Sequence, residues 1–137
     1  MALLGGEKVF RHRVADAGAF HRAVREGLPY GAFEALLRVL AIRSRDLGEL
    51  VGAAARTLAR RKTEKHLTPI ESDRLYRIAH VTHLAAETLG SVEKARSWLH
   101  RNNRAMGGEA PIRHLDTEIG VGRVEELLHR ITHGIHS

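Results

Sequence analysis

Residues 56–75, RTLARRKTEKHLTPIESDRL, decide how this chain is organised. The first ten positions hold five basic residues and one acidic residue, and a helix-start signal follows them. Thr68 can cap a helix, Pro69 suits the first helical position, and Glu71 can accept a hydrogen bond from the backbone N–H of the capping residue. The stretch therefore predicts that one helix ends in a basic patch and that a longer helix begins a few residues later.

Residues 44–62, which overlap the beginning of this stretch, show the pattern of two short helices joined by a tight turn. Gly52 lies where such a turn needs a positive φ, and Gly48 lets the second helix approach the first closely. The apolar positions that would face inward are Leu47, Val51, Ala53 and Leu58. This spacing predicts a helix-turn-helix.

The second helix of this pair is a candidate DNA-binding element. With Leu58 inward, helical spacing turns Arg56, Thr57 and Arg60 away from the core, and a net charge of +6 with a pI near 10.5 favours a polyanionic partner. The plainer interpretation is a solvated charged helix face. We expect the DNA-binding residues to be Arg56, Thr57, Arg60, Arg61, Lys62 and Lys65, with Arg61 at the edge of the core. The preceding run, residues 53–55, is all alanine, which can contact a thymine methyl but predicts weak sequence selectivity.

Composition limits the fold and the compartment. Apolar residues make up 43% of the 137 positions but aromatic residues only 4%, so Leu, Ala, Val and Ile must build the core, which favours helix over sheet. The chain has no cysteine, which excludes a disulfide framework and a Cys-ligated zinc site. No signal-peptide pattern and no apolar run of about 18 residues is present. These features predict an all-α, cytoplasmic protein that does not enter a membrane.

The remaining pattern predicts five further helices and one single turn. Helices are expected over residues 16–26, 32–42, 68–89, 92–103 and 121–132, with Ser44 or Asp46 capping the first helix of the pair. Asp116 or Thr117 is expected to cap a single turn that Gly120 closes. The predicted domains are a flexible N-terminal arm at 1–15, a helix-turn-helix domain at 16–67 and a helical domain at 68–137.

The downstream motifs carry a resemblance to a known family. In order, they are TPIESDRL at 68–75, EKARSWL at 93–99, NNRAMGG at 102–108, Pro111, LDTEIG at 115–120, VEELLHRI at 124–131 and the dipeptide HG at 133–134. This series resembles the Xre/MbcA/ParS antitoxins, over roughly residues 20–137. Those proteins join an Xre-like helix-turn-helix to a helical toxin-binding domain.

The resemblance implies a function for each half. Such antitoxins are encoded beside a toxin with a RES domain, which is related to ADP-ribosyltransferases and consumes NAD. The antitoxin blocks the toxin's active site and represses its own operon by binding operator DNA, as a dimer or as the toxin complex. Carried over here, the resemblance implies that the back domain from about Tyr76 would form the dimer and toxin surfaces. The toxin-binding residues would be Arg130, His133, Gly134, Ile135, His136 and Ser137, lying at or in the NAD cleft.

Other chemistry has weaker support in the sequence. His129, His133 and His136 share a helical spacing that can bring two imidazoles together, but no carboxylate completes a metal motif. No phosphate-binding glycine loop or nucleophile motif is present. We therefore predict no enzyme activity, no metal and no cofactor. The alternative functions are a stand-alone dimeric helix-turn-helix regulator and, with less support, a His-dependent metalloenzyme.

Overall fold

The computed structural model describes residues 17–134, and the prediction of an all-α fold is confirmed. Within that range the α-helices are α1 Ala17–Glu26, α2 Tyr30–Leu40, α3 Ser44–Val51, α4 Ala55–Glu64, α5 Pro69–Leu89, α6 Val92–His100 and α7 Glu118–Gly134. Two 3-10 helices, Arg104–Met106 and Pro111–His114, lie between α6 and α7. The predicted arm at 1–15 and the predicted tail residues Ile135, His136 and Ser137 lie outside the described residues.

The helix-turn-helix is formed by α3 and α4 as predicted. The side chains expected to face inward are all buried, with 0 to 4% of their surface exposed: Leu47, Val51, Ala53 and Leu58. Gly52 ends α3 with a φ of 81°, in the left-handed region. At Gly48 an added Cβ would lie 2.6 Å from the carbonyl oxygen of Ala53 and 2.7 Å from Cδ1 of Leu58. The turn therefore uses both glycines for the reasons that the pattern indicated.

The chain divides into two compact units between Ala79 and His80, within α5. The sequence placed the boundary earlier, between residues 67 and 68. The first turns of α5 belong to the first unit because they bond to it directly. Oγ of Ser72 accepts a hydrogen bond of 2.8 Å from the backbone N–H of Leu28, and Nη1 of Arg74 donates to the carbonyl of Val51 at 3.2 Å.

The end of α4 is tied to the segment between α1 and α2. The backbone N–H of Tyr30 donates to the carbonyl of Lys65, and the N–H of Leu67 donates to the carbonyl of Leu28, both at 2.9 Å. Leu28 and Leu67 are buried, with 1% and 3% of their surface exposed. These two backbone bonds hold the segment between α4 and α5 in the first unit.

The second unit builds its core from the second part of α5, from α6, from the 3-10 helices and from α7. Its fully buried side chains include Val81, Ala85, Leu99, Met106, Val124 and Leu128. Ser91 caps α6 as predicted, because its Oγ accepts a hydrogen bond of 3.1 Å from the backbone N–H of Lys94. Asn103 caps the first 3-10 helix through a 2.9 Å bond from the N–H of Ala105 to its Oδ1.

Three predicted helix starts were wrong. The helix predicted from residue 32 begins at Tyr30, and α3 has Arg43 at its N-cap position with Ser44 already helical. The last helix begins at Glu118, because Oγ1 of Thr117 accepts a 3.0 Å hydrogen bond from the N–H of Gly120 and so caps α7 itself. Gly120 lies in the first turn of this helix and does not close a separate turn.

Gly120 is needed for close packing and not for a turn. It is buried, and a Cβ added there would overlap the carbonyl oxygen of His114. Gly122, two residues later in the same helix, is exposed and has no atom within 4 Å of an added Cβ. A side chain at Gly120 would therefore clash with its neighbour, whereas a side chain at Gly122 would not, and the two glycines form a matched pair for a test.

We predict that Gly120→Ala lowers the free energy of unfolding by about 1–3 kcal/mol, because the helix must move away from His114. Gly122→Ala should raise it by about 0.5–1 kcal/mol, since alanine has the higher helix propensity. Urea denaturation followed by circular dichroism measures both. Equal effects of the two substitutions would contradict the assigned packing role of Gly120.

Candidate functional site

The solvent-facing side of α4 is strongly basic. Leu58 is the one buried side chain of this helix, and Arg56, Arg60 and Thr63 share the opposite face at spacings of four and three residues. Both arginines are exposed, and 66% of the Arg60 side chain is open to solvent. This face offers two guanidinium groups, which bind phosphate oxygens, whereas the Thr63 hydroxyl donates to the carbonyl of Ala59 at 3.2 Å.

Two of the other candidates lie at the end of the helix, outside the face of Arg56 and Arg60. Lys62 and Lys65 are exposed, and Thr57 is partly exposed. Lys65 ends α4 with a φ of 70°, and its backbone N–H donates to the carbonyl of Arg61 at 2.7 Å. Arg60 has an exposed ion pair with Glu64 at 3.8 Å, a kind of pair that contributes little to stability and does not prevent phosphate binding.

Arg61 differs from the other candidates because its guanidinium is bonded within the protein. Its Nε donates to Oε1 of Glu71 at 2.8 Å and its Nη2 donates to Oε2 at 3.2 Å, a bidentate ion pair. Only 13% of the Arg61 side chain and 8% of the Glu71 side chain are exposed. Its Nη1 also donates to Oε1 of Glu64 at 3.2 Å. The sequence grouped Arg61 with the phosphate-binding candidates but also placed it at the edge of the core, and the structure shows it at that edge, three residues after Leu58.

Glu71 also forms the predicted capping box of α5. Its N–H donates to Oγ1 of Thr68 at 3.1 Å, and its Oε1 accepts from the N–H of Thr68 at 3.0 Å. Burial by itself raises the pKa of Glu71, but the hydrogen bonds from Arg61 and from the Thr68 backbone outweigh burial, so its pKa lies below the ordinary value. The bond to Glu71 raises the pKa of Arg61, which stays protonated. The pair is therefore ionised at neutral pH.

The start of α4 offers little for reading bases. Ala53 is buried, Ala54 occupies the N-cap position without a side-chain hydrogen bond, and the helix begins at Ala55. Ala54 and Ala55 are exposed methyl groups. Apolar contact with a thymine methyl is the base contact that such side chains can make.

The charge of the protein is concentrated in the unit that contains α4. Residues 1–79 contain fifteen Lys and Arg and nine Asp and Glu residues, whereas residues 80–137 contain seven of each. The formal net charge of +6 therefore belongs to the first unit. Charge of this kind supports association with a polyanion by the first unit and not by the second.

The candidate toxin-binding residues of the second unit lie in the last turns of α7. Arg130, His133 and Gly134 are exposed, and Nδ1 of His133 lies 2.7 Å from the carbonyl oxygen of His129. Ile135, His136 and Ser137 belong to the part of the chain that is not described. Ile119, which the sequence analysis did not single out, is 79% exposed near the start of α7 and shares a helix face with Arg130 and His133. Because Ile119 is the second residue of α7, its exposure could be inferred only once the start of the helix was known.

Neither a metal centre nor a membrane segment is found in the described part of the chain. The rings of His129 and His133 are 6.4 Å apart, and no group of three or more metal-binding side chains occurs within residues 17–134. None of the helices in that range combines the length and the apolar character needed to cross a bilayer.

Comparison with known proteins assigns a family to each unit. Residues 19–80 match the profile of the antitoxin Xre-like helix-turn-helix domain, and residues 84–134 match that of the antitoxin Xre/MbcA/ParS C-terminal toxin-binding domain. A protein named Antitoxin Xre from Photorhabdus laumondii is 33% identical over 116 residues, which cover 83% of this chain and 78% of that relative. The chain belongs to the Xre family of antitoxins. This family consists of antitoxins and not of enzymes.

Two other relatives of the Xre family match shorter regions. Antitoxin Xre from Pseudomonas putida is 40% identical over 80 residues, and Antitoxin Xre from Yersinia enterocolitica is 34% identical over 88 residues. These matches cover 58% and 63% of this chain, and they span only 50% and 60% of the length of those relatives.

We predict that the contribution of Glu71 to stability depends on pH. Because its pKa is lower in the folded than in the unfolded protein, Glu71 stabilises the fold above the ordinary value of 4.5, and this stabilisation is lost as the pH falls through the lowered pKa. Glu71→Gln should lower the free energy of unfolding by about 1–3 kcal/mol at neutral pH, and by less in acid. Urea denaturation between about pH 7 and about pH 3 measures the difference.

Glu49→Gln is the matched control, because it removes a carboxylate that is 71% exposed on α3. It should change the free energy of unfolding by less than about 0.5 kcal/mol. A difference between wild type and Glu71→Gln that stays constant over the pH range would contradict the ionised pair.

Proposed function

We propose that this Xre-family protein is the antitoxin of a type II toxin–antitoxin system, with two separate binding activities. The first unit binds operator DNA and represses the operon that encodes the protein. The second unit binds a RES-domain toxin that consumes NAD and blocks its active site sterically. One observation carries the proposal: a single chain joins a helix-turn-helix with a basic exposed helix to a unit that matches a toxin-binding domain.

The exposed side of α4 supports the DNA-binding activity. Arg56 and Arg60 face away from the buried Leu58, and Lys62 and Lys65 follow them at the end of the helix. We assign these four cations and Thr57 to contacts with the phosphate backbone. Since Ala54 and Ala55 begin the helix, most of the affinity comes from phosphates and comparatively little from bases.

The end of α7 supports the toxin-binding activity. Arg130 and His133 are exposed in its last turns, so they are accessible to a partner protein, and residues 134–137 continue the chain from there. In this proposal the segment from Arg130 to Ser137 occupies the NAD cleft of the toxin. Inhibition then needs no chemistry by the antitoxin, because an occupied cleft excludes the substrate.

We further propose that the antitoxin acts as a homodimer in the cytoplasm. Two copies of α4 on one duplex would double the number of phosphate contacts, which matters for a protein whose direct reading of bases is weak. The cytoplasm is the compartment in which both proposed partners, operator DNA and a toxin that consumes NAD, would be met.

We predict that the double variant Arg56→Ala with Arg60→Ala binds DNA more weakly on every sequence. Each lost phosphate contact should lower the slope of log K against log salt by about 0.9, so the slope falls by about two units. Fluorescence anisotropy with the protein's own promoter duplex and a scrambled duplex, at several salt concentrations, measures both effects.

Arg104→Ala is the charge control for this test, because Arg104 is an exposed cation of the second unit. It should leave affinity and slope close to those of the wild type. If the double variant keeps the wild-type slope, α4 does not contact phosphates through these residues.

We predict that a variant lacking residues 135–137 and carrying His133→Ala loses protection against the toxin. Co-expression with the neighbouring gene product should then stop growth, and purified toxin should consume NAD in the presence of the variant. Lys94→Ala, which changes an exposed cation on α6, is the control and should protect fully.

Full protection by the shortened variant would contradict the assignment of the tail to the NAD cleft. A wild-type protein that gives no protection but binds its promoter at full strength would instead support a stand-alone dimeric regulator.

A further inference from the structure

Backbone hydrogen bonds hold the chain just after α4, where the carbonyl of Lys65 accepts from the N–H of Tyr30, but few side chains of the helix itself attach it to the first unit. Among its ten residues, Leu58 is the one buried side chain, since most of the others are charged or exposed. Leu58 packs against Gly48, and buried Ala53 and Leu67 hold the chain just before and just after the helix. A single buried side chain fixes the distance of a helix from the core, but it leaves rotation about the helix axis weakly restrained.

The ion pair of Arg61 with Glu71 supplies a second side chain that attaches the helix. Arg61 follows Leu58 by three residues and so lies about 60° around the helix from it. Its two hydrogen bonds to Glu71, at 2.8 and 3.2 Å, require the guanidinium and the carboxylate to lie edge to edge. Two points at different angles on the helix surface define its rotation.

The carboxylate partner is itself held in place. Oε1 of Glu71 accepts a hydrogen bond from the N–H of Thr68, and Glu71 lies in the first turn of α5. The next residue, Ser72, is fully buried and accepts a hydrogen bond from the N–H of Leu28. Glu71 is therefore a rigid reference point at the start of a long helix, and Arg61 connects α4 to it.

We propose that Arg61 and Glu71 are positioning residues for DNA binding, which together set the rotation of α4 so that Arg56 and Arg60 face the phosphates. This inference rests on the proposed DNA-binding function and deepens it. It gives Arg61 a role different from phosphate contact, although it belongs to the same basic run. It also makes DNA affinity depend on a buried acidic residue of another helix.

The two roles for Arg61 predict opposite effects of removing Glu71. If the basic residues act only through their charge, Glu71→Gln removes a negative charge near the DNA and should strengthen binding. If Arg61 and Glu71 position α4, the same substitution should weaken binding. Arg61→Met removes a positive charge, so the two variants change the net charge in opposite directions.

The test is fluorescence anisotropy of the full chain with the promoter duplex and the scrambled duplex. We expect both Arg61→Met and Glu71→Gln to lower the affinity by about ten-fold. The salt slope should stay within about half a unit of the wild type in both, because the number of phosphate contacts is unchanged. Arg61→Lys, which keeps the charge but not the bidentate geometry, should also bind more weakly than the wild type.

Thr68→Val is the matched control for loss of the capping box. It removes the bond from the N–H of Glu71 to Oγ1 of Thr68 but leaves the carboxylate available to Arg61. Its affinity should stay within about two-fold of the wild type. Circular dichroism establishes that each variant is folded at the assay temperature. Hydrogen exchange of the free protein should show faster exchange in α4 for Arg61→Met and Glu71→Gln, but not for Thr68→Val.

Three outcomes would overturn the inference. One is a salt slope that falls by about one unit in Arg61→Met while Glu71→Gln binds more tightly, which identifies Arg61 as a phosphate contact. In the second outcome, the wild type binds DNA and Glu71→Gln binds it with equal affinity. This result leaves the proposed DNA-binding function intact. A wild type that binds neither duplex removes the proposed DNA-binding function and this inference with it.

Discussion

The carboxylate of Glu71 receives three hydrogen bonds, two from the guanidinium of Arg61 and one from the backbone N–H of Thr68. It thereby completes the N-terminus of α5 and holds the last helix of the helix-turn-helix at the same time. A buried carboxylate is costly unless it is paired and hydrogen-bonded, and here every bond comes from within the first unit. The segment between α4 and α5 is therefore a rigid connection and not a loose linker.

The same interaction separates the basic run into two kinds of side chain. Arg56 and Arg60 lie opposite the buried Leu58 and are open to solvent, whereas Arg61 is bonded to Glu71 and Glu64. In this run of arginines and lysines, Arg56 and Arg60 thus form the exposed surface. Arg61, in the proposal above, orients the helix that carries them. The second unit, in contrast, carries no formal net charge, and its exposed side chains include Ile119, Arg130 and His133.

Local signals allowed much of this fold to be predicted. The capping box of Thr68 and Glu71, the turn at Gly52 and the cap at Ser91 each depend on residues within four positions of one another. Their hydrogen bonds and backbone angles are therefore properties of a short segment. The inward positions of α3 and α4 follow from helical periodicity in the same way.

What the sequence alone determined is the all-α fold, the helix-turn-helix, the capping of α5 and the two-part character of the chain. Helical spacing already placed Arg61 at the edge of the core, but tertiary structure decided its partner, because Glu71 lies in another helix, ten residues away. It also decided why Gly120 is a glycine, since the constraint is the carbonyl of His114 and not a turn. The exposure of Ile119 and the division of the chain within α5 likewise depend on packing between elements, which no local pattern contains.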